Sequence, residues 1–131
     1  MAGPLPEGNE MPLDGSLPTG VNLGAELRTM SAYVHIPFCR VRCGYCDFNT
    51  YTATELRGAS QSTYIDDLVR EIALSQTVLF EAGLPSRPLK SVFFGGGTPT
   101  LLPATDVIQA LDSLRESFGL VEGAEVTIEA N

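Results

Sequence analysis

The sequence predicts an α/β fold of three parallel strands and two intervening helices. Two observations predict it. Short runs rich in β-branched and aromatic residues, with side chains alternating between two faces, read as strands. Between them lie longer runs in which apolar residues return every three or four positions. The resulting order of strand, helix, strand, helix, strand makes two β-α-β units. Right-handed crossovers then place the strands in one sheet, with their C-terminal ends on one side.

A chain of 131 residues suits one domain. Residues 1–30 carry Pro4, Pro6, Pro12 and Pro18 among several glycines and no aromatic residue. Such a segment buries too little apolar surface to offset its ordering entropy, so it reads as a disordered extension. Order is expected from about Ser31. The first strand spans residues 33–38, with Tyr33 and His35 on one face and Val34 and Ile36 on the other. Pro37 lacks an N–H and belongs at the strand's end. Residues 47–62, rich in Thr, Ser and Gly, read as a loop.

A helix then begins near Thr63. Ile65, Leu68, Val69, Ile72 and Leu79 follow helical spacing, Asp66 and Arg70 form an i,i+4 pair, and Gly83 and Pro85 end the helix. Residues 91–94 form the second strand, which runs into Gly95-Gly96-Gly97. The second helix covers about 103–118, with Pro103 in its first turn and Gly119 after its end. Val107, Ile108, Leu111, Leu114 and Phe118 share its apolar side. The third strand covers 125–131. There Val126, Ile128 and Ala130 face one way, and Thr127, Glu129 and Asn131 the other.

Acidic residues outnumber basic ones, for a net charge of -8, and the basic residues are scattered. That distribution argues against a nucleic-acid partner. No run approaches the ~20 apolar residues of a membrane span, and no secretory signal is visible. Cysteines without a disulfide pattern fit a reducing compartment, so a cytoplasmic location is expected.

All three cysteines fall within residues 39–46, as Cys39-x3-Cys43-x2-Cys46. An odd count so closely spaced argues against a disulfide framework. Three thiolates suit a cubane iron–sulfur cluster with one iron left open for a small molecule. Zinc is the other reading, because His35 could complete a Cys3His set. Arg40 and Arg42 flank the cysteines, either offsetting a cluster's negative charge or as solvated loop charges.

The glycine run matches neither the P-loop nor the dinucleotide fingerprint. It permits close approach of a ligand to backbone, or else makes a tight strand-to-helix turn. Glu129, near a strand end, could accept hydrogen bonds from ribose hydroxyls, or be an edge carboxylate. The cysteine loop, the glycine run and Glu129 all fall at the C-terminal edge of the expected sheet, where β/α folds place their chemistry.

The segments Tyr33-Val34-His35-Ile36-Pro37-Phe38-Cys39, Gly95-Gly96-Gly97-Thr98-Pro99-Thr100 and Val126-Thr127-Ile128-Glu129-Ala130-Asn131 accompany the cysteine spacing. Together they resemble the radical S-adenosylmethionine (SAM) family, in its coproporphyrinogen-dehydrogenase-like branch. The resemblance covers residues 31–131. It implies the N-terminal part of a partial (β/α)6 barrel, so the chain reads as a truncated front portion. It also implies a [4Fe–4S] cluster on Cys39, Cys43 and Cys46, with SAM on the open iron. Gly96, Gly97 and Thr98 would receive the methionine amino group. Glu129 would contact SAM, and Tyr33 and Tyr45 would lie near it, Tyr45 against the adenine.

The branch includes an oxygen-independent coproporphyrinogen III dehydrogenase and a heme chaperone that passes heme to an acceptor protein. Sequences of the dehydrogenase type carry a further cysteine where this chain has Phe48, so the likeness leans to the chaperone. A heme-binding motif would lie beyond Asn131, and no catalytic side chain is assigned. Two other classes stay open: a zinc-binding structural module, and a metal-free nucleotide-binding module built on the glycine run.

Overall fold

In the computed structural model residues 8, 10, 12–52 and 60–130 are described. Strand β1 (Met30–Ile36) leads through the cysteine loop to helix α1 (Tyr64–Glu81). Strand β2 (Leu89–Gly96), helix α2 (Ala104–Phe118) and strand β3 (Leu120–Ile128) follow. The three strands form one sheet in the order β1-β2-β3, and both pairs are parallel. This is the expected architecture. Among the described residues no helix is long and apolar enough to cross a membrane.

The register sets the two faces. Val34 pairs with Phe94 and Phe94 with Ile128; Tyr33 pairs with Phe93 and Phe93 with Thr127. Parallel partners project to the same side, so the first set faces the helices and the second faces away. On the helix side Val34, Ile36, Val92 and Phe94 are buried with Ile65 and Ile72 of α1 and Ala110 and Leu114 of α2. Burial of each large apolar side chain is worth roughly 1.5–3 kcal/mol, so this face holds the domain together.

Local chemistry ends the helices where the sequence says it should. Gly83 takes a left-handed φ of 70°, its N–H bonds to the Phe80 carbonyl, and Leu84 N–H bonds to the Leu79 carbonyl. That pair of bonds is the Schellman arrangement. Gly119 closes α2 with φ 79°, its N–H reaching the Arg115 carbonyl.

Several expectations need correction. Strand β1 begins at Met30 and β2 at Leu89, both earlier than the alternation indicated. Strand β3 begins at Leu120 and ends at Ile128, so Glu129 and Ala130 lie past it; Asn131 lies outside the described residues. The early part of β3 was hidden by Gly123, whose φ of 71° marks an irregular stretch where the register with β2 shifts. Pro103 is the N-cap of α2 and not in its first turn. On α2, Ile108 is 58% exposed and Ala110 takes its place in the core. Val107, Leu111, Leu114 and Phe118 face the core as expected, so the face is only slightly rotated, toward an alanine that carries a weak apolar signal. Arg70 pairs with Asp67 at 2.6 Å, not with Asp66.

Within the stretch expected to be an extension, residues 25–27 form a 3-10 turn in which Ala25 is fully buried. Arg87 donates to the carbonyls of Ala25 and Arg28, and Arg28 donates to those of Val21 and Leu23. The Arg87 ties join residues far apart in sequence, so composition gave no sign of them. The expected loop over 47–62 is described only in part, because residues 53–59 lie outside the described set.

Candidate metal and cofactor site

The cysteine loop leaves the C-terminal end of β1 and is pinched shut at its base. Cys39 N–H bonds to the Tyr51 carbonyl at 3.0 Å, and Tyr51 N–H to the Pro37 carbonyl at 2.7 Å. Phe38 and Tyr51 thus form a parallel bridge beside the sheet. Phe38 is buried and packs edge-on against Tyr64, with ring centroids 5.2 Å apart. The Tyr64 hydroxyl donates to the His35 carbonyl at 2.6 Å. Burial, with smaller contributions from Glu71 and Tyr33, pushes its phenol up to about 12, so it remains a neutral donor.

Inside the loop Cys46 N–H bonds back to the Cys43 carbonyl. The Thr50 hydroxyl lies 3.5 Å from Cys46 Sγ. Arg42 donates to the Thr50 carbonyl. The Thr50 hydroxyl, then the Phe48 backbone, then the Arg42 charge hold the Cys46 thiol below its ordinary value. All three favour the thiolate, the form that ligates metal.

His35 is committed elsewhere. Its Nε2 lies 2.8 Å from the Asn49 carbonyl, which can only accept, so Nε2 carries the proton. Its Nδ1 then accepts from the Tyr33 hydroxyl at 2.9 Å. With both nitrogens used inside the fold, His35 is not placed to complete a Cys3His zinc set. The histidine instead ties the end of β1 to the far side of the cysteine loop.

The glycine run packs directly on this loop. Gly97 N–H bonds to the Ile36 carbonyl at 2.8 Å and Thr98 N–H to the Phe38 carbonyl at 2.7 Å. A Cβ on Gly97 would collide with the Phe38 carbonyl and come within 2.9 Å of Cys39 Sγ. One on Gly96, which has φ 117°, would meet the His35 ring at 2.8 Å. Glycine is therefore required at both positions.

Gly96 N–H is taken as well, by Glu129 Oε2 at 3.2 Å. With these three amides engaged, the run is not an anion cradle of the phosphate-binding kind.

Glu129 follows β3, and its own N–H bonds to the Phe94 carbonyl. Its carboxylate thus bridges the third strand to the glycine run. A cleft of about 780 Å³ opens between these elements. Cys39, Cys43, Cys46, Tyr45, Gly96, Gly97, Thr98 and Glu129 all line it, with Arg40, Val41 and Phe48 at the cysteine side. Tyr33 does not. It lies on the sheet's open face, stacked against Phe93 at 6.1 Å, and its hydroxyl bonds to His35, which in turn reaches the cysteine loop. Thr50 and the Asn49 carbonyl were missed by sequence reasoning. Nothing distinguishes them there from other polar loop residues.

Residues 33–131 match the radical SAM superfamily. The chain belongs to that family. It is 43% identical over 99 residues to the heme chaperone HemW of Mycobacterium tuberculosis (strain ATCC 25618 / H37Rv), a match covering 76% of this chain and 24% of the relative. It is 35% identical over 131 residues to anaerobilin synthase of Escherichia coli O157:H7, covering 91% of this chain and 28% of that one. Among solved structures it resembles coproporphyrinogen III oxidase (HemN) of Escherichia coli, described as a radical SAM enzyme. There the TM-score is 0.64 at 33% identity, over 79% of this chain and 22% of that one. The chain spans about a quarter of the length of the curated relatives it matches.

Family membership implies, in general, SAM and an iron–sulfur cluster. The donor set fits such a cluster: three free cysteines on one loop, facing one cleft, beside glycines that leave room at Cys39. Among the described residues no three His, Cys, Asp or Glu side chains converge closely enough to hold a single metal ion. A cluster's irons are spread over a larger volume than one ion, so its thiolates need not converge on a single point.

Proposed function

We propose that the protein is a radical SAM protein of the heme branch, and within it a heme chaperone of the HemW kind. The observation that carries the cofactor half is the shared cleft, in which the three cysteines, the glycine run and Glu129 face one space. In this reading Cys39, Cys43 and Cys46 hold a [4Fe–4S] cluster, which when bound supplies the electron for SAM chemistry. Backbone carbonyls of Gly96 and Gly97, with Thr98, receive the ammonium group of SAM. The Glu129 oxygen not engaged by Gly96 accepts from the ribose hydroxyls. Tyr45, exposed between two cysteines, folds over the adenine, and Tyr33 acts at one remove through His35.

The chaperone half rests on two supports. Relatives at up to 43% identity carry the heme-chaperone description. Phe48 stands where the dehydrogenase type has an additional cysteine. Heme would be the cargo and a heme-requiring protein the acceptor. The likeness to HemN favours a second reading, coproporphyrinogen III dehydrogenase activity.

Anaerobic reconstitution of an intact relative that contains this segment tests the first half. The protein should turn brown and take up about four irons per chain, and Cys43→Ala should not retain them. A colourless product with stoichiometric zinc would overturn the cluster assignment. Heme titration and a coproporphyrinogen assay on the same intact protein, not on the isolated 131-residue segment, test the second half. Saturable heme binding without carbon dioxide release supports the chaperone. Release of carbon dioxide without heme binding supports the dehydrogenase.

A further inference from the structure

Thr50 is the single buried polar side chain among the described residues, at 1% exposure. It sits in a loop whose other members are mostly exposed. Burying a hydroxyl is costly unless it is hydrogen-bonded, so its partners are informative. Two acceptors stand at 3.5 Å: Cys46 Sγ and the Phe48 carbonyl. A hydroxyl has one proton. When Cys46 is a thiolate, as any metal ligand must be, the charged sulfur is the stronger acceptor and takes it.

The rest of Thr50 is fixed. Its N–H bonds to the Phe48 carbonyl at 2.8 Å, and its carbonyl accepts from Arg42. The next residue, Tyr51, is bonded on both sides to the end of β1 through Pro37 and Cys39. Threonine is stiff at χ1, so the fixed backbone also fixes the hydroxyl. A continuous path therefore runs from the sheet, through Tyr51 and Thr50, to the third cysteine.

We infer that Thr50 is a positioning residue for the cluster, its hydroxyl donating to the Cys46 thiolate so as to hold that ligand in place and raise the cluster's reduction potential. This rests on the cluster assignment proposed above. The sign follows from charge. Reduction adds an electron to an already anionic cluster, and a donor at a ligating sulfur stabilises the more negative state.

The test compares Thr50→Val, which keeps the shape and removes the hydroxyl, with Thr50→Ser, which keeps the hydroxyl. Both are made in the intact, anaerobically reconstituted protein and not in the isolated 131-residue segment. Iron content is measured, and the midpoint potential is followed by electron paramagnetic resonance during redox titration. Thr50→Val should shift the potential to more negative values while Thr50→Ser stays at wild type.

If Thr50→Val loses the cluster altogether, the thermal melt of the metal-free protein decides. An unchanged melt, with normal iron in Thr50→Ser, supports the role. A lowered melt, or equal loss in Thr50→Ser, overturns it in favour of simple packing. Full iron content with an unshifted potential in Thr50→Val also overturns it, and leaves the cluster assignment standing. A wild-type protein that takes up no iron overturns both.

Discussion

At the scale of single residues, the cleft is built by groups that serve each other as well as a ligand. Glu129 shows this. One carboxylate oxygen accepts from Gly96 N–H, which orients the group and leaves acceptor capacity for a bound molecule. Glu129→Ala should therefore keep its iron, since the residue is not a ligand in this scheme. It should weaken SAM binding by about 1–3 kcal/mol, the usual cost of losing a hydrogen bond to a charged group. Calorimetric titration of SAM into the loaded variant checks this, and an unchanged dissociation constant would count against the role.

That the cysteine loop and the glycine run would meet at one end of the sheet was legible in advance, because both follow the C-terminal ends of parallel strands, and both line the cleft. Thr50 was not legible. Its importance comes from burial and from two partners, neither of which a polar loop composition reveals. His35 was legible as a chemical group, but its commitment to Tyr33 and the Asn49 carbonyl was not. Deciding between metal ligand and structural bridge took the fold.

At the scale of elements, the strands and helices were read well where pattern and terminator agreed. Helix α1 ends at Glu81, and the glycine expected to stop it forms the closing motif. The misreadings fell where the local pattern was interrupted. Strand β3 contains Gly123 and acidic residues, which are poor strand signals, yet pairing with β2 draws it into the sheet. Helix α2 buries Ala110 and exposes Ile108, because contact with the sheet and α1 sets its rotation, not the sum of its hydrophobicity.

The element that bears most weight is β2, central in the sheet and the direct lead into the glycine run. Phe94 is fully buried there, between Val34 and Ile128 on neighbouring strands. Phe94→Ala should destabilise the domain by about 3–5 kcal/mol, the range for emptying an aromatic core position. Urea titration of the folded protein measures it. A loss under about 1 kcal/mol would mean that this part of the sheet is not a close-packed core.

At the scale of the whole molecule, the sheet is covered on one side only. Helices α1 and α2 lie on the face of Val34 and Phe94, while the opposite face, with Tyr33 57% and Phe93 38% exposed, has no layer over it among the described residues. Parallel sheets are normally covered on both faces. Strands β1 and β3 are also the two edges of this sheet, and three strands cannot close a barrel. The cleft sits at one end of this half-covered sheet, so its walls depend on whatever steadies the open face.

Expressed as an isolated polypeptide, the 131 residues should therefore bind an apolar dye such as ANS, melt over a broad range and tend to associate. They should neither cleave SAM nor bind heme stably. Dye binding, near-ultraviolet circular dichroism and calorimetry on the purified segment test this together. A sharp cooperative melt without dye binding, joined to tight heme binding, would mean that these residues already form a complete working unit and that the open face is a surface in its own right.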